Sequence, residues 1–197
     1  MRLLAVSDEV EPQLLDERTV ASKGRIDLVI GCGDLPADYL DALSTLYAAP
    51  LLFVRGNHDP PDGQGDYPAG AEIDGRVVTE KGLLVAGLEG SIRYSDGAHQ
   101  YSERQMTAKV LALRLRLRLR HPDILISHGP AAGVNEGTDP PHQGLRALRR
   151  AVELMRPRLF LHGHVHPYGR DSPREAQLGE TRVINVVGHR LIELASR

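Results

Sequence analysis

The stretch Leu51-Leu52-Phe53-Val54-Arg55-Gly56-Asn57-His58-Asp59 sets four apolar residues directly before five that are small, polar or ionisable. Four apolar side chains are too few for a helix, and turn-forming residues close the run. It therefore reads as a short strand buried on both faces. The polar cluster then sits where the strand ends. The same phrase recurs along the chain. Leu3-Leu4-Ala5-Val6 runs into Ser7-Asp8, and Leu28-Val29-Ile30 into Gly31-Cys32-Gly33-Asp34. Ile124-Leu125-Ile126 runs into Ser127-His128-Gly129, and Leu159-Phe160-Leu161 into His162-Gly163-His164-Val165-His166.

Helical patterns lie between these runs. Residues 38–47 carry Tyr39, Leu40, Leu43, Leu46 and Tyr47 at spacings of three and four, an amphipathic stripe. Residues 144–155 repeat it with Leu145, Leu148, Val152 and Met155, and Pro157 stops it. Alternating strands and helices predict an α/β fold with largely buried strands, whose ends deliver polar groups to a common crevice. Residues 60–70 are dense in Pro, Gly and Asp and read as a loop. Residues 76–79, 83–87, 181–187 and 189–194 read as strands around short turns, which predicts antiparallel pairing. The expected whole is two sheets flanked by helices in one domain spanning residues 1–197.

Residues 113–120, Leu-Arg repeated four times, alternate as a strand would. Against that, Ser102 and Gln105 form a capping-box pair, and residues 102–120 hold no Gly or Pro, so the segment is predicted helical. Its arginines read as a solvated face or as a subunit contact in a homo-oligomer. Eight residues carrying four charges define no nucleic-acid groove.

Composition narrows the function. The chain has 197 residues, 41% hydrophobic and 25% charged, with a net charge of −2, so no global field draws it to nucleic acid or an anionic membrane. Two Phe, six Tyr and no Trp leave few platforms for base stacking. The single cysteine, Cys32, precludes an internal disulfide and suits a reducing compartment. The first apolar run is too short for a signal-peptide core or a membrane span, so the expected location is cytoplasmic.

Nine histidines is a high count here, and several sit beside Gly or Asp. A phosphate ester repels nucleophiles, and hydroxide is scarce at neutral pH. Two metal ions about 3.5–4 Å apart answer both by clamping the phosphate and acidifying water. Such a pair needs oxygen and nitrogen ligands, one carboxylate bridging. Asp8, Asp34, Asn57, His128, His164 and His166 supply that set from five strand ends. Each alone is better read as a turn, a cap or a hydrogen-bonded structural residue. Together they read as a metal site.

Gly33-Asp34, Gly56-Asn57-His58-Asp59, an isolated His128 and Gly163-His164-Val165-His166 resemble the ordered motifs of the calcineurin-like metallophosphoesterases. The resemblance spans residues 8 to 166. It implies a four-layer α-β-β-α sandwich with two mixed sheets, and hydrolysis of a phosphate monoester or diester. It implies that Asp34 bridges two divalent ions of Mn, Fe or Zn. Asp8 and His166 would hold the first ion; Asn57, His128 and His164 would hold the second. His58 would protonate the leaving oxygen or steady the transition state, and Asp59 would orient its imidazole. Arg55 could donate to a phosphate oxygen of a small substrate, and His142 is a candidate substrate contact.

One departure matters. The family's first motif is Asp-x-His, and here it reads Asp8-Glu9-Val10, whose Val10 cannot coordinate. On an extended strand Glu9 points away from Asp8, though a loop at the strand end could turn it inward. The first metal is therefore expected to bind more weakly than the second or with an altered metal preference. A metal-binding regulatory or scaffolding module with little catalysis is the alternative reading. Substrate choice is expected to reside in loops 60–70, 90–100 and 131–142.

Overall fold

The computed structural model describes residues 1–167 and 174–195. Strands β1 (Arg2–Ser7), β2 (Leu28–Gly31), β3 (Leu51–Phe53) and β4 (Ala71–Glu72) run parallel in one sheet, with β13 (Gly188–Glu193) antiparallel on the far side of β1. The second sheet has the order β11 (Glu175–Leu178), β12 (Thr181–Asn185), β10 (Leu159–His162), β9 (Ile124–Ser127), β6 (Leu83–Leu88) and β5 (Val77–Glu80). Its four central strands are parallel, and its two edge strands are antiparallel to their neighbours. Short β7 (Ser91–Ile92) and β8 (Gln100–Tyr101) form a separate parallel pair.

The side-chain period of two explains the layering. Leu3, Ala5, Leu28, Ile30 and Leu52 face Ile124, Ile126, Leu159, Leu161 and Ile184 of the other sheet in one buried cluster. The alternate residues Leu4, Val6, Val29, Leu51 and Phe53 pack outward against Tyr39, Leu40 and Leu43 of α2 (Ala37–Leu46). On the opposite outside, Leu125, Phe160 and Val183 pack against α3 (Glu103–Leu117) and α4 (Arg146–Met155). A strand buried on both faces must be continuously apolar, which is what the short runs express. The result is the expected four-layer α-β-β-α sandwich.

The helix expected over residues 102–120 forms as α3, and its Ser102–Gln105 capping box is intact. Leu113 and Leu117, one turn apart, are buried, whereas Leu115 is 78% exposed. The expected antiparallel pairing holds for β5 and β6 but fails for the last two strands. β12 and β13 belong to different sheets, because the chain crosses the sandwich over residues 186–188, where Gly188 takes a φ of 73°. Helix α1 (Glu17–Lys23) and strands β4 and β11 carry too weak a pattern to have been read from sequence.

Parallel pairing aligns strand ends. The C-terminal ends of β1, β2 and β3 lie along one sheet edge and those of β9 and β10 along the other, so five polar clusters meet across the top of the sandwich.

Candidate metal centre

Around His128 the geometry is specific. Its Nδ1 lies 2.8 Å from the carbonyl oxygen of Cys32. A carbonyl only accepts, so Nδ1 carries the proton and, in the neutral ring, Nε2 carries a lone pair. Nε2 faces Asp34 Oδ2 at 3.1 Å, Asn57 Oδ1 at 3.0 Å and His164 Nδ1 at 3.1 Å. His164 is fixed the same way: its Nε2 donates to the Pro141 carbonyl at 2.7 Å, leaving a lone pair on Nδ1. Asn57 Nδ2 donates to the Tyr94 hydroxyl at 3.0 Å, which turns Oδ1 inward.

Four electron-rich atoms therefore converge on one point, where a single ring proton can satisfy only one of its neighbours. A dication satisfies all four. Donors held about 2.1 Å from one ion at right angles stand about 3 Å apart, the spacing between His128 Nε2 and each of its three neighbours. Among the described residues, Asp34, His128 and His164 form a group with ligand atoms all within 4.8 Å of one another. The residues present thus fit a divalent ion.

Electrostatics agrees. Burial alone would lower the His128 imidazole, but the Asp34 and Asp8 carboxylates outweigh it and raise it to about 9. Asp34 is held down at about 2, since the attraction of His128 and donation from the His58 N–H override its desolvation. His164 is lowered to about 4 by burial and by the nearby His128 charge, so it is neutral and ready to coordinate.

Backbone strain positions these groups. Asp8, Asp34 and His164, each just beyond a strand, take φ values of 63°, 58° and 68°. Left-handed conformations of non-glycine residues cost about 1–3 kcal/mol and gather at functional sites. Close approach demands the neighbouring glycines: a Cβ on Gly56 would strike the Asp34 carboxylate, and one on Gly163 would strike Ser7 and Asp8.

The first site is less complete. Asp8 and His166 line one cavity of about 220 Å³ together with Asp34, His58, Tyr94, His142 and His164. Asp8 Oδ2, however, accepts the His164 N–H at 2.9 Å, and the exposed His166 meets Glu9 Oε1 at 3.1 Å. No metal-binding group among the described residues includes Asp8 or His166. The Glu9 contact departs from the alternation argument, because the left-handed turn at Asp8 ends the strand and swings Glu9 toward the site. Val10 is left exposed.

Two further expectations are revised by where the side chains lie. Asp59 does not reach the His58 imidazole; its Oδ2 accepts the backbone N–H groups of Asp34 at 2.9 Å and Gly56 at 2.7 Å. It latches two ligand-bearing turns together instead. Arg55 is buried and held by Asp62 at 2.5 Å, Glu72 at 2.7 Å and Glu89 at 3.3 Å, and it lines a neighbouring cavity rather than the metal site. His142 does line the metal cavity, 5.1 Å from the His164 ring, with Nδ1 on Asp139 at 2.6 Å. His58 lies exposed between Asp34 and this cavity, its N–H on Asp34 Oδ1 at 2.8 Å. Tyr94 and Pro141 had escaped sequence reading, since a lone hydroxyl and a backbone carbonyl carry no spacing signal.

No curated protein resembles the sequence closely enough to count as a relative. Solved structures share the fold. TT1561 of Thermus thermophilus is 18% identical, aligns over 95% of this chain and 89% of its own, and gives a TM-score of 0.66. A hypothetical protein from Thermus thermophilus is also 18% identical, aligns over 95% and 76%, and gives 0.51. A double mutant of Vps29 from Entamoeba histolytica is 14% identical over 99% and 87%, with a TM-score of 0.50. The profile of the calcineurin-like phosphoesterase superfamily domain matches residues 1–188, and with Asp34, Asn57, His128 and His164 gathered at the strand ends, the chain belongs to that superfamily.

Proposed function

We propose that this protein hydrolyses a small phosphate monoester or diester with divalent metal ions of Mn, Fe or Zn. The observation that carries the reading is the convergence of four lone pairs on one point beside an exposed, unengaged imidazole. Asp34, Asn57, His128 and His164 would hold the more tightly bound ion, and Asp34, Asp8 and His166 a weaker second one. When bound, the ions supply Lewis acidity toward the phosphate and raise the acidity of water. His58 has no ring partner among the described residues, so its imidazole is available to protonate the leaving oxygen as the phosphorus–oxygen bond breaks. His142 lies on the wall where the phosphate would rest. The buried, unpaired Cys32 is compatible with a reducing cytoplasm.

Hydrolysis of nitrophenyl phosphate mono- and diesters with Mn²⁺ tests this. His58→Ala is expected to lower kcat by about 10²–10⁴ while leaving Mn²⁺ affinity intact. Asp34→Ala is expected to abolish both. Equal rates for wild type and both variants would overturn the reading. The incomplete first site favours one alternative, a metal-binding module without catalysis; tight Mn²⁺ binding with no turnover of any ester would select it.

A further inference from the structure

Asp34 and His58 wall two cavities, not one. The first is the cavity of about 220 Å³ that holds the metal ligands. The second, of about 490 Å³, shares Asp34 and His58 with the first and is lined by the start of α2 and by residues of loop 60–70. Its lining is largely apolar: Leu35, Pro36, Phe53, Tyr67 and Pro68 among others. That volume falls in the range that encloses an organic group of ring size or larger.

The loop over this cavity is held in place. Arg55 grips Asp62 and donates to the Tyr67 hydroxyl at 3.2 Å, Tyr67 in turn accepts the Gly63 N–H at 3.0 Å, and the Ala69 N–H donates to Asp41 of α2 at 2.8 Å. Its charge is one-sided. Asp34, Asp38, Asp59 and Asp66 line it, while the lining guanidinium of Arg55 is matched by Asp62, Glu72 and Glu89. Among the described residues that line it, no unmatched lysine or arginine meets an entering anion.

We propose that this second cavity receives the leaving group, and that it selects phosphate esters of uncharged or cationic alcohols with an apolar, ring-sized body over esters whose leaving group bears another anion. The inference rests on the proposed hydrolytic reading. In that reaction water oxygen bonds to phosphorus and releases one proton to solvent, the phosphorus–oxygen bond to the alcohol breaks, and its electron pair takes the proton from His58, which solvent then replaces. His58 and Asp34 border both cavities, so an alcohol released beside His58 departs next to this second cavity, which can take its body. Asp38, Asp66 and the apolar lining then set the preference.

Three measurements test the proposal. Binding of α-naphthol to the wild type, read by naphthol fluorescence without turnover, should weaken about tenfold or more in Ala37→Trp, which fills the cavity from the start of α2. With Mn²⁺, the catalytic efficiency toward α-naphthyl phosphate relative to glycerol 2-phosphate, an ester of a small ringless alcohol, should fall about tenfold or more in the same variant. The penalty for a carboxylated naphthyl phosphate relative to α-naphthyl phosphate should shrink in Asp66→Lys, a change at an exposed loop position that tests the charge argument should Ala37→Trp misfold. Hydrolysis of both esters, with naphthol binding and the two ratios indifferent to these variants, would overturn the pocket alone. Failure of the Mn²⁺-loaded wild type to hydrolyse any ester would overturn the hydrolytic reading and the leaving-group role with it.

Discussion

Four lone pairs aimed at one point need a positive charge among them, and in the absence of metal the proton on His128 Nε2 supplies it. Metal and proton therefore compete for one place. With His128 raised to about 9, Mn²⁺ binding is expected to release close to one proton at pH 7–8. Affinity should climb about tenfold per pH unit and level off above pH 9, where that proton is already lost. Calorimetric titration in buffers of different ionisation enthalpy reads this directly; pH-independent affinity would contradict it. Asp59 makes a second residue-level case. Replacing it with Ala leaves the N–H groups of Asp34 and Gly56 without their acceptor, at a cost of about 1–3 kcal/mol. Chemical denaturation should show that loss together with weaker Mn²⁺ binding, and the His58-dependent limb of the pH–rate profile should not move. A shifted limb would return Asp59 to the role of orienting His58. The ligand identities were legible because each follows an apolar run, but what their partners do was not. Whether the Asp59 carboxylate meets an imidazole or two amides depends on a fold of the chain that spacing does not encode.

At the scale of elements, local signals outweighed periodicity in α3. The Leu-Arg alternation matched a strand, yet the capping box and the lack of breakers decided the helix, and the alternate leucines simply fell on opposite sides of it. Ser102→Ala removes that cap and is expected to cost about 1 kcal/mol in denaturant unfolding, with little effect on Mn²⁺ affinity. Arg55 belongs at this scale too. It ties the end of β3 to loop 60–70 and to the buried Glu89, whose carboxylate is pulled down to about 2 although burial opposes this, because His99, Tyr101 and Lys109 stabilise its charge. Arg55→Ala is expected to destabilise by about 3 kcal/mol, the low end for breaking a buried pair, since Lys109 and His99 still face Glu89. Equilibrium denaturation checks the magnitude. A neutral outcome would mean that the Arg55 cluster holds nothing in place.

For the molecule as a whole, the metal centre joins both halves of the sandwich. Asp34 and Asn57 come from the sheet containing β2 and β3, and His128 and His164 from the one containing β9 and β10. An ion bound there stabilises the folded state by mass action, by about 2.7 kcal/mol at a hundred times its Kd. For a chain of this size that is a rise in Tm of about 5–10 °C, expected for wild type and absent for Asp34→Ala. The amino-acid sequence alone determined the layering and the family, because continuous apolar runs closed by Gly, Asp, Asn and His are local patterns that force doubly buried strands with polar ends. Tertiary structure decided which sheet the last strand joins, that Glu9 turns inward, what Asp59 and Arg55 hold, and that a second cavity shares His58 and Asp34 with the first. Those outcomes depend on the left-handed turns at strand ends and on two sheets meeting across a core, contacts between residues far apart in the chain that no local pattern records.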